Sequence, residues 1–505
     1  MKAENIIKKR VLLLDGALGT NLYERGMPRN AVPENWCLEN PGILESLHRD
    51  YVRAGSDVIY TATFGANRIK LNRTKNNTVL INRKLAEISR KAAGNKVLVA
   101  GDIGPTGRFI KPFGSLDFED GVAVFKEQVK GLLLGGVDIF AIETMIDIQE
   151  ARAALLAVRE LSDKFTIVTM SYEKDGRTLN GTDPLSALIT LQSLGADAVG
   201  SNCSRGPYEM IKILSGLKKY SKVPLVAKPN AGLPKIKEGR VVFDMTEGSF
   251  ARYAKDLVLE GVNIIGGCCG TKPAYIAALK KQLKSVNPVK VNPAGCSVIS
   301  SARGSLDLSS SRDVIFIGEK INPTGKKLLQ SEIRRYRFSR VKSLAKEQEY
   351  AGAKALDVNI SLAGIDEKKA MLAAVSELAV STNLPLAIDS SNPGVIVAAL
   401  RLYPGRALIN SLTAEPKKIK ELMPAIKKYG PMVIFLPVTP EGIPDSFQER
   451  KKVIDKNLKM LKSHGLFKQD IVIDPITLAV SSNGSSAINT LKTIAYCKIR
   501  LKVNT

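Results

Sequence analysis

The chain has 505 residues, 44% of them hydrophobic, and a formal net charge of +25. That length suggests two or more domains. No apolar run approaches the roughly 20 residues needed to span a bilayer, which excludes a membrane-spanning reading. The N-terminal MKAENIIKKR lacks the apolar stretch of a signal peptide, so a cytoplasmic location is expected. Lysine and arginine are spread along the whole chain, as on a solvated surface. With no zinc finger, RNP motif or basic heptad helix, no nucleic-acid partner is expected. Six cysteines in a chain this long do not make a disulfide framework.

In the first half, eight short apolar runs are each followed by a stretch of helical periodicity: VLLLDG, DVIYTATF, KVLVAGD, DIFAIE, FTIVTMS, DAVGSNC, PLVAKPN and NIIGGCC. Continuous apolar runs suit strands buried on both faces. Eight βα units predict a TIM-type (β/α)8 barrel over 1–285. A doubly wound sheet is the alternative, but no glycine-rich dinucleotide fingerprint follows the first strand. Residues 286–311 are rich in Pro, Ser and Gly and read as a linker. The βα rhythm then resumes over 312–505 with DVIFIGEKINPTG, KALDVNIS, LPLAIDSS, GRALINS, PMVIFLPV and DIVIDP, and a last helix, SAINTLKTIAYCKI. These six strands predict a second barrel of the same α/β class, incomplete at its C-terminus by about two βα units.

Chemistry in such barrels sits at the C-terminal ends of the strands. Cys268 and Cys269 end the eighth predicted strand and Cys203 ends the sixth, so all three surround one mouth. An isolated Cys-Cys pair reads as small buried residues. Three cysteines converging from two strand ends read instead as a zinc site with an open position, and Gly266, Gly267 and Gly270 allow the tight turn it needs. Zinc binds a substrate thiol as its thiolate, and three cysteinates keep that sulfur nucleophilic. This points to alkyl transfer to sulfur. Cys37, Cys296 and Cys497 have no such partners and read as buried.

LLLDGALGT, TATFGAN, AIETM, GSNCS, PNAG and GGCCGT, in that order, resemble the homocysteine S-methyltransferase family over about residues 10–285. The resemblance implies zinc on Cys203, Cys268 and Cys269, with homocysteine as fourth ligand. It implies that the amides of Ala17 and Leu18 hold the substrate carboxylate, that Glu143 pairs with its ammonium, and that Asn230 covers the metal when substrate is absent. Asp15 joins this set, with helix capping as its plainer alternative; for Asn230 the alternative is turn formation.

IGEKINPTGKK, LDVNIS, AIDSS, LINS and VIDP resemble the pterin-binding domain found in cobalamin-dependent enzymes of methionine formation. That implies Asn322, Asp389, Asn410 and Asp474 along the pterin, with Glu319, Asp357 and Asn359 nearby, and 5-methyltetrahydrofolate as methyl donor. Strand-end capping is the alternative for each. The chain contains no DxHxxG corrinoid motif and two histidines, His48 and His464. Cobalamin is therefore expected on a missing domain or a separate protein. A corrinoid-independent homocysteine methyltransferase and a non-catalytic pterin- or zinc-binding module stand as the other readings.

Overall fold

The computed structural model describes residues 2–72, 75–203, 205–237, 240–291, 296–309, 314–478 and 486–505. They form two compact units, 1–293 and 294–505.

All eight predicted strands of the first unit form: β1 (Leu12–Leu13), β2 (Val58–Tyr60), β3 (Leu98–Ile103), β4 (Ile139–Met145), β5 (Thr166–Met170), β6 (Ala198–Asn202), β7 (Leu225–Lys228) and β8 (Val262–Ile265). They lie in one parallel sheet in sequential order, with β8 returning to pair with β1 through Leu12 and Ile264. Every second residue of each strand turns inward. Leu12, Leu14, Val58, Tyr60, Leu98, Ala100, Ile139 and Ala141 thus meet Ile167, Ala198, Val226 and Ile264 in one cluster, joined by Ala3, Ile6 and Ile7 of the N-terminal helix. That basic, apolar-spotted N-terminus is therefore core material.

The seam between β1 and β2 carries no regular ladder. Side chains close it instead. Asp57 accepts from the Leu13 amide at 2.9 Å while its own amide donates to the Leu13 carbonyl at 2.7 Å. Asp15 accepts from the Tyr60 amide at 2.8 Å. Two carboxylates thus supply part of the pairing that a ladder would give.

The second unit opens with an antiparallel hairpin, β9 (Val298–Ser300) and β10 (Ser305–Asp307). The 286–311 stretch expected as a linker is thus partly folded structure. Ile299 lies in the core of this unit, and Leu306 and Leu308 pack against it. Arg406 locks the hairpin by donating to the carbonyls of Cys296 (3.2 Å) and Val298 (3.0 Å). Short strands in a serine-rich setting leave little periodic signal, which is why composition alone reads this segment as linker.

Six parallel strands follow in sequential order: β11 (Ile317–Ile321), β12 (Ala355–Asn359), β13 (Leu386–Asp389), β14 (Leu408–Thr413), β15 (Met432–Leu436) and β16 (Ile471–Ile473). The six expected strands are all present. The last residues add one detail. After the final helix, Asn504 bridges Val472 in parallel, and the Ile473 amide donates to the Asn504 carbonyl at 2.8 Å. Asn504 thus lies alongside β16. No helix among the described residues is long and apolar enough to cross a membrane.

Candidate metal centre and strand-end carboxylates

Cys203 follows β6 with φ at +60°, a left-handed conformation uncommon for a side-chain-bearing residue. Its amide donates to the carbonyl of Lys228 at 3.0 Å, the Cys268 amide donates to Pro229 at 2.8 Å, and the Cys269 carbonyl accepts from Ala231 at 3.0 Å. These bonds lash the turns after β6, β7 and β8 together. The glycines are required by space. A Cβ on Gly267 would lie 2.3 Å from Thr271 Oγ1, and one on Gly16 2.7 Å from the same atom.

The result is three sulfurs all within 4.8 Å of one another, with Cys203 Sγ 3.9 Å from Cys269 Sγ. The edge of a tetrahedron with metal–sulfur bonds of about 2.3 Å is about 3.8 Å, so the spacing fits three ligands of one zinc ion. Among the described residues no other group of three or more His, Cys, Asp or Glu converges in this way. Hydrogen bonding to Cys203, with burial, pushes the Cys268 thiol up to about 12, and the two neighbouring sulfurs push Cys269 up as well. Three thiolates cannot share this space unaided. A bound dication would reverse that balance and deprotonate them. Asn202 supports the cluster: it accepts from the Thr144 amide (2.7 Å) and Thr169 Oγ1 (2.8 Å) and points its Nδ2 at Cys268 Sγ (3.9 Å).

The residues expected around the substrate gather at the same strand ends, in a pattern richer than the sequence reading. Glu143 is buried on β4, and its Oε2 accepts from Lys228 Nζ at 2.8 Å. Lys228 also stands over the Tyr60 ring, 3.5 Å from the centroid. Burial alone would lower Lys228, but Glu143, Tyr60 and Asp15 outweigh it and hold the ammonium charged. Burial pushes Asp15 up to about 7 and raises Glu143 and Asp102. The Ala17 amide donates to Thr271 Oγ1 at 3.1 Å, and that hydroxyl donates onward to the Cys268 carbonyl at 2.7 Å. Leu18 stands at the N-terminus of the short helix Gly19–Glu24. Asn230 is buried with no partner for its Oδ1 among the described residues.

Lys228, Thr271 and Asn202 were not singled out from the sequence. Lys228 carried a usable signal: a lone ammonium closing an apolar run is costly unless paired.

In the second unit, Asn359 Nδ2 donates to Asp389 at 2.9 Å and Asn410 Nδ2 to Asp357 at 2.9 Å. The register places Asn359 beside Asp389 and Asp389 beside Asn410. Burial first, then Asp389 and Glu319, push Asp357 up to about 7 against the opposing hydrogen bond from Asn410. Asn322 and Asp474 stand apart from this network, and Glu319 reaches it only through its charge on Asp357. Asn322 and Asp474 accept from amides two residues ahead, of Thr324 and Ile476, and Glu319 is exposed on β11.

Residues 12–283 match the family model of homocysteine S-methyltransferase, and residues 318–505 that of pterin-binding enzymes. The chain is 28% identical over 536 aligned positions to methionine synthase of Mycobacterium tuberculosis, covering 98% of this chain and 44% of that protein. It is 27% identical to methionine synthase of Mycobacterium leprae, covering 94% and 42%. It thus spans less than half the length of these relatives. The metallated form of the homocysteine methyltransferase MmuM from Escherichia coli is 26% identical, covering 55% of this chain and 99% of that one, with a TM-score of 0.48.

Proposed function

We propose, from the premise that this chain belongs to the homocysteine S-methyltransferase family, that it methylates homocysteine to methionine. Its second unit would receive 5-methyltetrahydrofolate, and the methyl group would travel by way of a cobalamin carried on another domain or protein. The observation carrying this reading is the convergence of three sulfurs within 4.8 Å at one barrel mouth.

Zinc held by Cys203, Cys268 and Cys269 would supply Lewis acidity that keeps the substrate sulfur ionised near neutral pH. The chain's own residues would do the rest. Glu143 receives the substrate ammonium through the oxygen that Lys228 leaves open. The Leu18 amide, and the Ala17 amide once it exchanges Thr271 Oγ1 for substrate, hold the carboxylate. Asp15 lies beside Tyr60 at the first strand end, and Asn230, next to the Pro229 whose carbonyl holds the Cys268 amide, would cover the metal when substrate is absent. The sulfur attacks the methyl carbon with its own electron pair, and the donor departs with the pair of the broken bond. In the second unit, Asp357, Asn359, Asp389 and Asn410 present alternating acceptors and amides to the donor–acceptor edge of a pterin. Asn322, Asp474 and Glu319 would complete the pterin site from the neighbouring strand ends.

The test is methionine formation from homocysteine and free methylcobalamin by the zinc-loaded chain. Its absence overturns the enzymatic reading and leaves a binding module. Binding of 5-methyltetrahydrofolate, measured on the same protein, supports the folate route; a chain that makes methionine yet binds no folate takes its methyl group from another donor.

A further inference from the structure

Four ionisable side chains from different strands meet inside the first barrel: Asp15 after β1, Asp102 on β3, Glu143 on β4 and Lys228 on β7. All four residues are buried. Asp15 Oδ1, Asp102 Oδ1 and the Tyr60 hydroxyl have no partner among the described residues. Three carboxyl side chains thus face one ammonium, with acceptor atoms left over for a further cationic group.

Lys228 is held from several sides. Its carbonyl accepts from the Cys203 amide at 3.0 Å. Its stem passes Gly266, where a Cβ would stand 3.3 Å from Lys228 Cγ. Its Nζ rests on the Tyr60 ring and bonds Glu143 Oε2 at 2.8 Å. Glu143 Oε1 has no protein partner among the described residues, and the side chain keeps 12% exposure. One carboxylate oxygen is occupied and the other is open.

We propose that Lys228 is a positioning residue that holds Glu143 in place through Oε2 with Oε1 open, and so makes the site select thiols that carry an α-ammonium. This rests on the reading of homocysteine as the substrate of this site. Without the Lys228 contact nothing fixes Oε2, and Oε1 loses the direction in which it meets an ammonium. The same residue ties this selection to the metal turn, since its carbonyl holds Cys203.

The experiment compares homocysteine with 4-mercaptobutyrate, which keeps the thiol and carboxylate and lacks the ammonium. Binding is measured by calorimetry on the zinc-loaded full chain, with zinc content and thermal melting recorded for each protein. Wild type should prefer homocysteine. Lys228→Met and Glu143→Gln should each weaken homocysteine on the order of tenfold to a hundredfold, as expected for a charge-assisted hydrogen bond, and leave 4-mercaptobutyrate binding unchanged. The double variant should be no worse than Glu143→Gln alone, because both act through one contact. If Lys228→Met fails to hold zinc, Lys228→Gln carries the same comparison. Equal loss of both ligands in a zinc-replete Lys228 variant overturns the proposal, as does an unchanged preference. If Glu143→Gln itself leaves the preference intact, the reading of Glu143 as the ammonium partner falls, and the role of Lys228 with it.

Discussion

Cys203 Sγ and Cys269 Sγ lie 3.9 Å apart although 66 positions separate them in the chain. Only the barrel, by bringing the ends of β6 and β8 to one rim, makes that distance possible. The expected consequence is one zinc per chain. Cys269→Ala should remove it, because two sulfurs leave half a tetrahedron. Metal analysis of the purified variant is decisive: stoichiometric zinc in Cys269→Ala would refute the ligand assignment.

Homocysteine should release about one proton on binding near pH 7, since a free thiol of pKa about 8.5 is taken up as a thiolate. The sign follows directly. Below that pKa the free ligand holds a proton that the bound ligand lacks, so affinity weakens as pH falls, by about tenfold per unit in the limit. Calorimetry in buffers of different ionisation enthalpy measures the proton. A heat that does not vary with buffer would mean that the thiol binds without ionising.

The barrel and the second parallel sheet were legible because continuous apolar runs such as KVLVAGD have few places to go except a two-faced parallel sheet. The sulfur cluster was legible because GGCC and GSNC both close such runs. What stayed hidden depends on contacts across the sequence. Nothing local says that Lys228 lies against Glu143, 85 positions earlier, or that Thr271 braces Ala17, 254 positions earlier. Asn322 and Asp474 show the reverse case. The sequence marks them as strand-end amide and carboxylate, and here each is spent on its own turn. The hairpin at Val298–Asp307 escaped because its two strands are three residues each, too short for a period to register.

Thr271 joins the turn after β1 to the turn after β8. Thr271→Val keeps the shape and deletes the hydroxyl, leaving the Ala17 amide without its partner and the Cys268 carbonyl with the Thr271 amide alone, at 3.1 Å. Thr271 is fully buried, so the cost should be about 1–3 kcal/mol of first-unit stability. Zinc affinity should drop with it, because the Cys268 turn loses its brace. Denaturant unfolding followed by Trp36, the sole tryptophan, reports this unit. An unchanged midpoint together with unchanged zinc affinity would show that water replaces the hydroxyl.

Asp357 gives the second unit a pH dependence of predictable sign. Burial raises its carboxyl from 3.8 to about 7. The folded state therefore keeps a proton that the unfolded chain has already released. Stability falls as pH rises from about 4 towards about 7 and levels off above it. Asp357→Asn removes the titration, so its advantage over wild type should be larger at pH 8 than at pH 5. Hydrogen exchange of the β12 amides isolates this unit, which contains no tryptophan. An offset between the proteins that is equal at the two pH values would place the slope elsewhere.

The outer edge of β16 is held by the last residues of the chain. Asn504 accepts from the Ile473 amide at 2.8 Å, Val503 is buried, and Lys468 Nζ donates to the Leu501 carbonyl at 2.7 Å. Deleting residues 502–505 strips the Ile473 amide of its partner and uncovers the side of β16, one residue before Asp474. The second unit should lose about 1–3 kcal/mol and expose a strand edge able to pair with other chains. The first unit has its own core and its own seam closures at Asp57 and Asp15, so its zinc content and Trp36 unfolding midpoint should not move. Faster exchange of the β16 amides, with faster proteolysis confined to residues beyond Val298, is the expected record. A fall in zinc stoichiometry on the same deletion would show that the barrel carrying the sulfurs depends on the second unit.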